Sequence, residues 1–338
     1  MSRENMGYFH YVSGDSLRVE MMRGAYKIVT QCAGVKPGET VVISTDTNKM
    51  KISEVLAGAV LSVGATPIIV MIPPTGAPGA PLPEPVNCAV EKADVFLMPA
   101  TYSQTHTEAR RRAIANGARG TTMMEIREDM LCTGGILADF EECDRFGHKL
   151  GDYMSKAHEF RFTTAAGTDL SGFIDGRPIQ YETGLFRNPG EFAAVPNSEI
   201  NFAPIEESIN GRIVVDVRAM TIGVVKDEPF MITVKNGIVV NVEGSKAGIE
   251  FFENLKHFND PTALMVAEFG LGLNPFSRMY SSNPEDLGKL GTGHVGIGTN
   301  AGIGGKIQAP CHIDVAFNEA TVYLDGKKFY NKTGCLFK

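Results

Sequence analysis

The chain has 338 residues, 43% hydrophobic and 21% charged, which is too apolar for a disordered chain and too often interrupted by charge for a membrane span. Its formal net charge of −7, from 32 basic and 39 acidic residues with no long Lys or Arg run, argues against nucleic acid as a partner. The length suggests two domains, and the first thirty residues lack the basic start, apolar run and cleavage site of an export signal, so a cytoplasmic location is expected.

In chain order, VVIST from Val41 reads as a strand after the turn KPGE, and Lys51 to Val63 as a helix. TPIIVMI from Thr66 reads as a second, buried strand, PPTGAPGAPLPEP as a loop, and DVFLMPA from Asp94 as a third strand. TEARRRAIANG gives a helix closed by Gly117, and a further helix covers Phe140 to Ala157. Strands alternating with helices predict an α/β domain over residues 1–157 with an open, mostly parallel sheet.

Residues 158–338 differ in texture. GRIVVDVRAMTIG, FMITVKNGIVVNVEG and TVYLDGKKF alternate as antiparallel hairpins do, with a two-residue turn at Asn236 and Gly237. With one helix, Ala247 to His257, this half is expected to be an α+β domain that binds metal and carries catalysis. The six cysteines show no C-x-x-C spacing and read as buried thiols in a reducing compartment.

The strongest local motif is PCHIDVAF, where His312 and Asp314 are one residue apart. On a strand both side chains point the same way and can close on one ion; otherwise the strand simply shows a polar face to solvent. GTGHVGIGTN places His294 between glycines in another short strand. VAEFGLGLNP places Glu268 in an apolar run, where a charge is costly unless ion-paired or metal-bound. Glu199 stands in the extended segment VPNSEINFAP, and His106 in TYSQTHTEAR, where a helix begins at the C-terminal end of the third strand. His106 is either a ligand-facing group or a plain helix-start histidine. Imidazole and carboxylate sets suit Zn, Fe, Mn or Co. His10, His148 and His158 lack ligand-type neighbours at a useful spacing, and His257 reads as a residue at the edge of a helix face. The run GIGTNAGIGG lacks the closing Lys-Ser/Thr of a phosphate loop and reads as backbone passing close to the metal residues.

Together PGEFAAVPNSEINFAP, VAEFGLGLNP, GTGHVGIGTN, GGKIQAPCHIDVAF and SQTHTEARRRAIANGAR resemble the aminopeptidase T and aminopeptidase S metallopeptidases, from about residue 17 to the C-terminus. The resemblance is strongest to short members labelled leucyl aminopeptidase. It implies a pair of divalent ions (Zn, Co or Mn) held by Glu199, Glu268, His294, His312 and Asp314, and attack of water on an amide or N-terminal peptide bond. It also implies a homodimer. His106 is expected to orient substrate or shuttle a proton. The family's catalytic Tyr falls at Ala301 here, with Tyr280 nearby in sequence as a substitute. The chain is similar as well to 2,5-dihydroxypyridine 5,6-dioxygenase, which implies the alternative of one Fe(II) held by His294, His312 and Asp314.

Overall fold

The structure is a computed structural model that describes residues 16–336; His10 and the start of the segment inspected for an export signal lie outside the described residues. Two units are present: the described residues up to Leu137 together with Leu185–Val195, and Ala138–Gly184 together with Pro196 onward.

The first unit is an α/β layer. Its five strands pair in parallel in the order Thr66–Ile72, Thr40–Asp46, Val95–Ala100, Arg119–Met124 and Phe192–Ala193. Val42, Phe96 and Met98 pack with Val86, Val90, Ala109 and Ala113 of the helices Glu84–Glu91 and Glu108–Ala115. The strand from Thr66 is not buried. It forms the edge of the sheet, with Ile68, Ile69 and Met71 between 36% and 50% exposed, because an apolar run does not reveal whether a strand has one neighbour or two.

The second unit packs two antiparallel sheets, of eight and seven strands, face to face. Phe160 and Phe162 of the larger sheet meet Phe202, Phe269 and Phe317 of the smaller, largely edge to face. Each fully buried Phe contributes roughly 1.5–3 kcal/mol. Helix Phe140–Met154 buries Phe140, Cys143, Gly147, Leu150 and Met154 at helical spacing, and Asp139 caps it by accepting from the Glu141 and Glu142 amides. Asn236 and Gly237 turn a hairpin with φ of 48° and 76°. GRIVVDVRAMTIG does not form one hairpin: Asn210–Val215 joins the larger sheet and Arg218–Ala219 the smaller. Among the cysteines only Cys32 and Cys143 are buried; Cys88 is exposed and the other three are intermediate, since the helix holding Cys88 turns it away from the face that packs. No helix among the described residues is long and apolar enough to cross a membrane.

Candidate metal centre

The smaller sheet of the second unit has two chemically opposite faces, and its register explains both. The strands Ile179–Glu182, Glu199–Phe202, Val266–Gly272, Gly293–Gly298 and His312–Phe317 are adjacent and antiparallel. Ile200, Phe202, Phe269, Leu271, Val295, Ile297, Ile313 and Val315 point into the core. The alternate positions place Glu182, Glu199, Glu268, His294, His312 and Asp314 on the other side. Strict alternation would put Val266 on that side too. A bulge between Val266 and Glu268 inserts one residue, so that Val266 packs in the core while Glu268 turns to the polar face.

Room for the ligands comes from glycine. Gly270 lies opposite His294 in the ladder, and a Cβ there would stand 1.9 Å from His294 Cε1. A Cβ on Gly296 would stand 2.7 Å from His312 Cε1 and 2.9 Å from Glu268 Cβ. The imidazoles thus occupy space that a side chain at Gly270 or Gly296 would fill.

Glu268 is the hub. One carboxylate oxygen lies 3.5 Å from His294 Nε2 and the other 2.9 Å from His312 Nε2. Glu199 approaches His294 Nε2 to 3.7 Å, and Asp314 approaches His312 Nε2 to 3.2 Å. The side chains therefore form two groups able to hold an ion, Glu199–Glu268–His294 and Glu268–His312–Asp314, with ligand atoms within 4.8 Å of one another in each. Around a tetrahedral ion with bonds of 2.0–2.2 Å, ligand atoms are roughly 3.3–3.6 Å apart. Of the separations about His294, 3.5 Å falls in this range and 3.7 Å just beyond it, and both are too long for good hydrogen bonds, while those about His312, 2.9 and 3.2 Å, are shorter. Glu199 Oε2, His294 Nδ1 and Asp314 Oδ1 are buried without a hydrogen-bond partner, a costly condition that coordination of the carboxylates relieves. The Glu199–His294 end is almost fully buried, whereas His312 is 26% exposed, so solvent reaches the second group first.

Neighbouring groups fix the ligands. His312 Nδ1 lies 2.7 Å from the Thr299 carbonyl, which accepts its proton and turns Nε2 toward Glu268 and Asp314. Asn201 Nδ2 donates to Glu199 Oε1 at 3.3 Å. Burial works against the charge of His294, but Glu199 and Glu268 push its pKa up to about 9. His312 is likewise raised well above its ordinary value despite burial, by Asp314 and Glu268. Burial opposes ionisation of Glu268 too, and the two imidazoles overcome it, holding this carboxyl down at about 2. Glu182, directly across from Glu199, is pushed up to about 8 by burial and by Glu199 and Glu268. Glu182 and Asn201 belong to this face but escape sequence reading, because IQYE is too short to show alternation and a lone Asn carries no ligand signal.

These shifts set a pH dependence for the metal-free protein. Raised pKa values of His294 and Glu182 give stability that is complete below their ordinary values of 6.5 and 4.5 and is lost as pH rises through about 9 and 8. The depressed Glu268 gives stability present above 4.5 and lost as pH falls toward about 2. Thermal unfolding of chelated protein is expected to show its highest Tm between about pH 4.5 and 6.5 and a decline toward pH 9. A Tm that is flat or rising from pH 6 to 9 would contradict the electrostatic picture.

His106 belongs to the first unit. It is exposed, in the loop between Val95–Ala100 and helix Glu108–Ala115, and its carbonyl accepts from Arg111 Nη1 at 3.2 Å. That loop leaves the sheet beside the point where the strand order reverses, the usual ligand crevice of open parallel sheets. Asp46 pins it by accepting from the Thr101 amide at 2.6 Å. Ala301 lies in a short exposed turn, Ala301–Ile303, while Tyr280 adopts a φ of 60° and packs near Ala316, two residues beyond Asp314.

Fold and face together describe a two-unit protein with a cluster of Glu, His and Asp side chains able to hold metal. A family model described as 2,5-dihydroxypyridine 5,6-dioxygenase matches residues 21–336, and the chain belongs to that family. The 2,5-dihydroxypyridine 5,6-dioxygenase of Pseudomonas putida KT2440 is 24% identical over 185 residues, which are 52% of this chain and 53% of that protein. The match thus spans about half the length of this curated relative. The solved structure of 2,5-dihydroxypyridine dioxygenase from the same organism has a TM-score of 0.76 at 19% identity, covering 94% of this chain and 96% of its own. Wild-type AmpT from Thermus thermophilus has a TM-score of 0.69 at 16% identity, covering 95% and 100%. The resemblance to both the dioxygenase and aminopeptidase T therefore holds at the level of fold.

Proposed function

We propose that the chain is a hydrolase of amide bonds, in a peptide N-terminus or a small cyclic or aromatic amide, that works with two divalent ions. One observation carries this reading: each three-residue group contains a single imidazole, and Glu268 belongs to both. Glu199, Glu268 and His294 would hold one ion, and Glu268, His312 and Asp314 the other. Glu199, Glu268 and Asp314 against two dications leave one positive charge, which an activated hydroxide would cancel, whereas a single dication leaves one negative charge that the hydroxide would double on a buried face. Bound there, zinc, cobalt or manganese lowers the pKa of a water and polarises a carbonyl.

The chain's own residues do the rest. Thr299 holds His312 in one orientation, and Asn201 steadies Glu199. In the metal-free protein, burial and the neighbouring Glu199 and Glu268 favour the protonated form of Glu182. His106 is assigned to orient substrate or carry a proton. The free cysteines suit a cytoplasmic enzyme, which we take to be a homodimer.

The family match favours a second reading, a ring-cleaving dioxygenase with one Fe(II). Such a site needs two imidazoles and a carboxylate on one ion, here His294, His312 and Asp314. Assays decide between the two. Protein reconstituted with zinc, cobalt or manganese is expected to release amine from aminoacyl amides, and His106→Ala to lower kcat roughly 10²–10⁴-fold with metal content unchanged. Oxygen uptake on 2,5-dihydroxypyridine with Fe(II), and no amide cleavage with any metal, would move the assignment to the dioxygenase.

A further inference from the structure

We propose that Glu206 is a positioning residue for His312, acting through the glycine-rich loop that joins the His294 and His312 strands; the claim deepens the metal-centre reading and rests on it. Glu206, in the turn Glu206–Ser208, is 8% exposed and belongs to neither three-residue group. Its carboxylate accepts from three directions: the Arg177 guanidinium, the Lys306 amide at 2.7 Å and Asn300 Nδ2 at 3.2 Å. Arg177 also donates to the Gly304 carbonyl at 2.7 Å. Asn300, 1% exposed, accepts from the Ile307 amide at 2.7 Å, and Thr299 Oγ1 donates to the Ile307 carbonyl at 3.0 Å.

The consequence falls on Thr299. Its amide donates to the Cys311 carbonyl at 2.8 Å, and its own carbonyl takes the His312 Nδ1 proton at 2.7 Å. The chain of contacts therefore runs from Glu206 through Asn300 to the one carbonyl that decides which nitrogen of His312 faces Glu268 and Asp314. Glycine permits this closure. A Cβ on Gly305 would stand 2.0 Å from Asn300 Cγ, and one on Gly304 2.4 Å from Pro178 Cγ. Arg177 lies just before the strand holding Glu182, and Glu206 just after the strand holding Glu199, so one buried ion pair joins these two strand ends, and its contacts with Gly304 and Lys306 tie both to the loop between the His294 and His312 strands. Groups that orient a ligand from behind typically change metal affinity 10–100-fold when removed.

Three variants break separate links: Glu206→Gln, Asn300→Ala and Gly305→Ala. The first readout is the ring ¹⁵N and ¹H spectrum of metal-free protein labelled at histidine, assigned with His312→Gln. All three variants are expected to shift the hydrogen-bonded His312 Nδ1–H signal while leaving His294 in place. The second is stepwise titration with zinc, where one binding step weakens about 10–100-fold and the other holds within about twofold. A merely structural role predicts a lower Tm with His312 signals and both affinities unchanged, which overturns the proposal. If wild type takes up no zinc, the two-ion reading fails, and the His312 spectrum still decides the clamp. If Glu206→Gln does not fold, Asn300→Ala and Gly305→Ala decide by the same two readouts.

Discussion

Glu268→Gln is expected to abolish both metal positions at once. Its two oxygens face different imidazoles, so a neutral amide removes the one negative charge common to both groups. Supporting residues behind ligands already cost 10–100-fold in affinity, and a shared ligand is expected to cost at least about 100-fold at each position. Amide hydrolysis should fall with it, by roughly 10³-fold or more. Glu199→Gln differs, because Glu199 stands in one group only and the Glu268–His312–Asp314 position should keep its ion. Equilibrium dialysis against zinc on the two variants separates these outcomes. Loss of a single ion in Glu268→Gln would show that the carboxylate does not bridge.

Gly270→Ala is expected to be the most damaging change that touches no ligand. The added methyl would lie 1.9 Å from His294 Cε1 and 2.1 Å from Nε2, on a strand whose register is fixed on both sides. Overpacking typically costs 1–3 kcal/mol, and this overlap belongs at about 3 kcal/mol, a fall in Tm of roughly 6–12 °C for a unit of this size. The imidazole must also leave its place, so the Glu199–Glu268–His294 ion should be lost. Gly302→Ala is the control, since a Cβ there meets nothing within 4 Å. Equal Tm and metal content in both variants would mean that the glycines serve the backbone and not the imidazoles.

The sequence carried much of this because the relevant physics is local. His312-x-Asp314 announces two groups on one face of a strand, and an acid inside VAEFGLG announces a charge needing a partner. Alternating strands and helices gave the parallel sheet, and period-two segments gave the antiparallel ones. What escaped is what depends on pairing. The bulge that turns Glu268 away from the Val266 side is a register property, not a composition property. Glu182 matters only because its strand lies beside that of Glu199, and the exposure of Ile68 and Met71 follows from an edge position no single segment encodes. The same holds for Gly304 and Gly305, whose clustering was visible but whose contacts with Pro178 and Asn300 required the folded loop.

The most direct test of the two-ion centre is to count metal per chain, by elemental analysis of wild type and of a His312→Ala, Asp314→Ala double variant purified without added metal. A bridged pair requires about two equivalents of zinc, cobalt or manganese in wild type, with one remaining in the variant at Glu199, Glu268 and His294. One equivalent of iron per wild-type chain, or no metal at all, would contradict it.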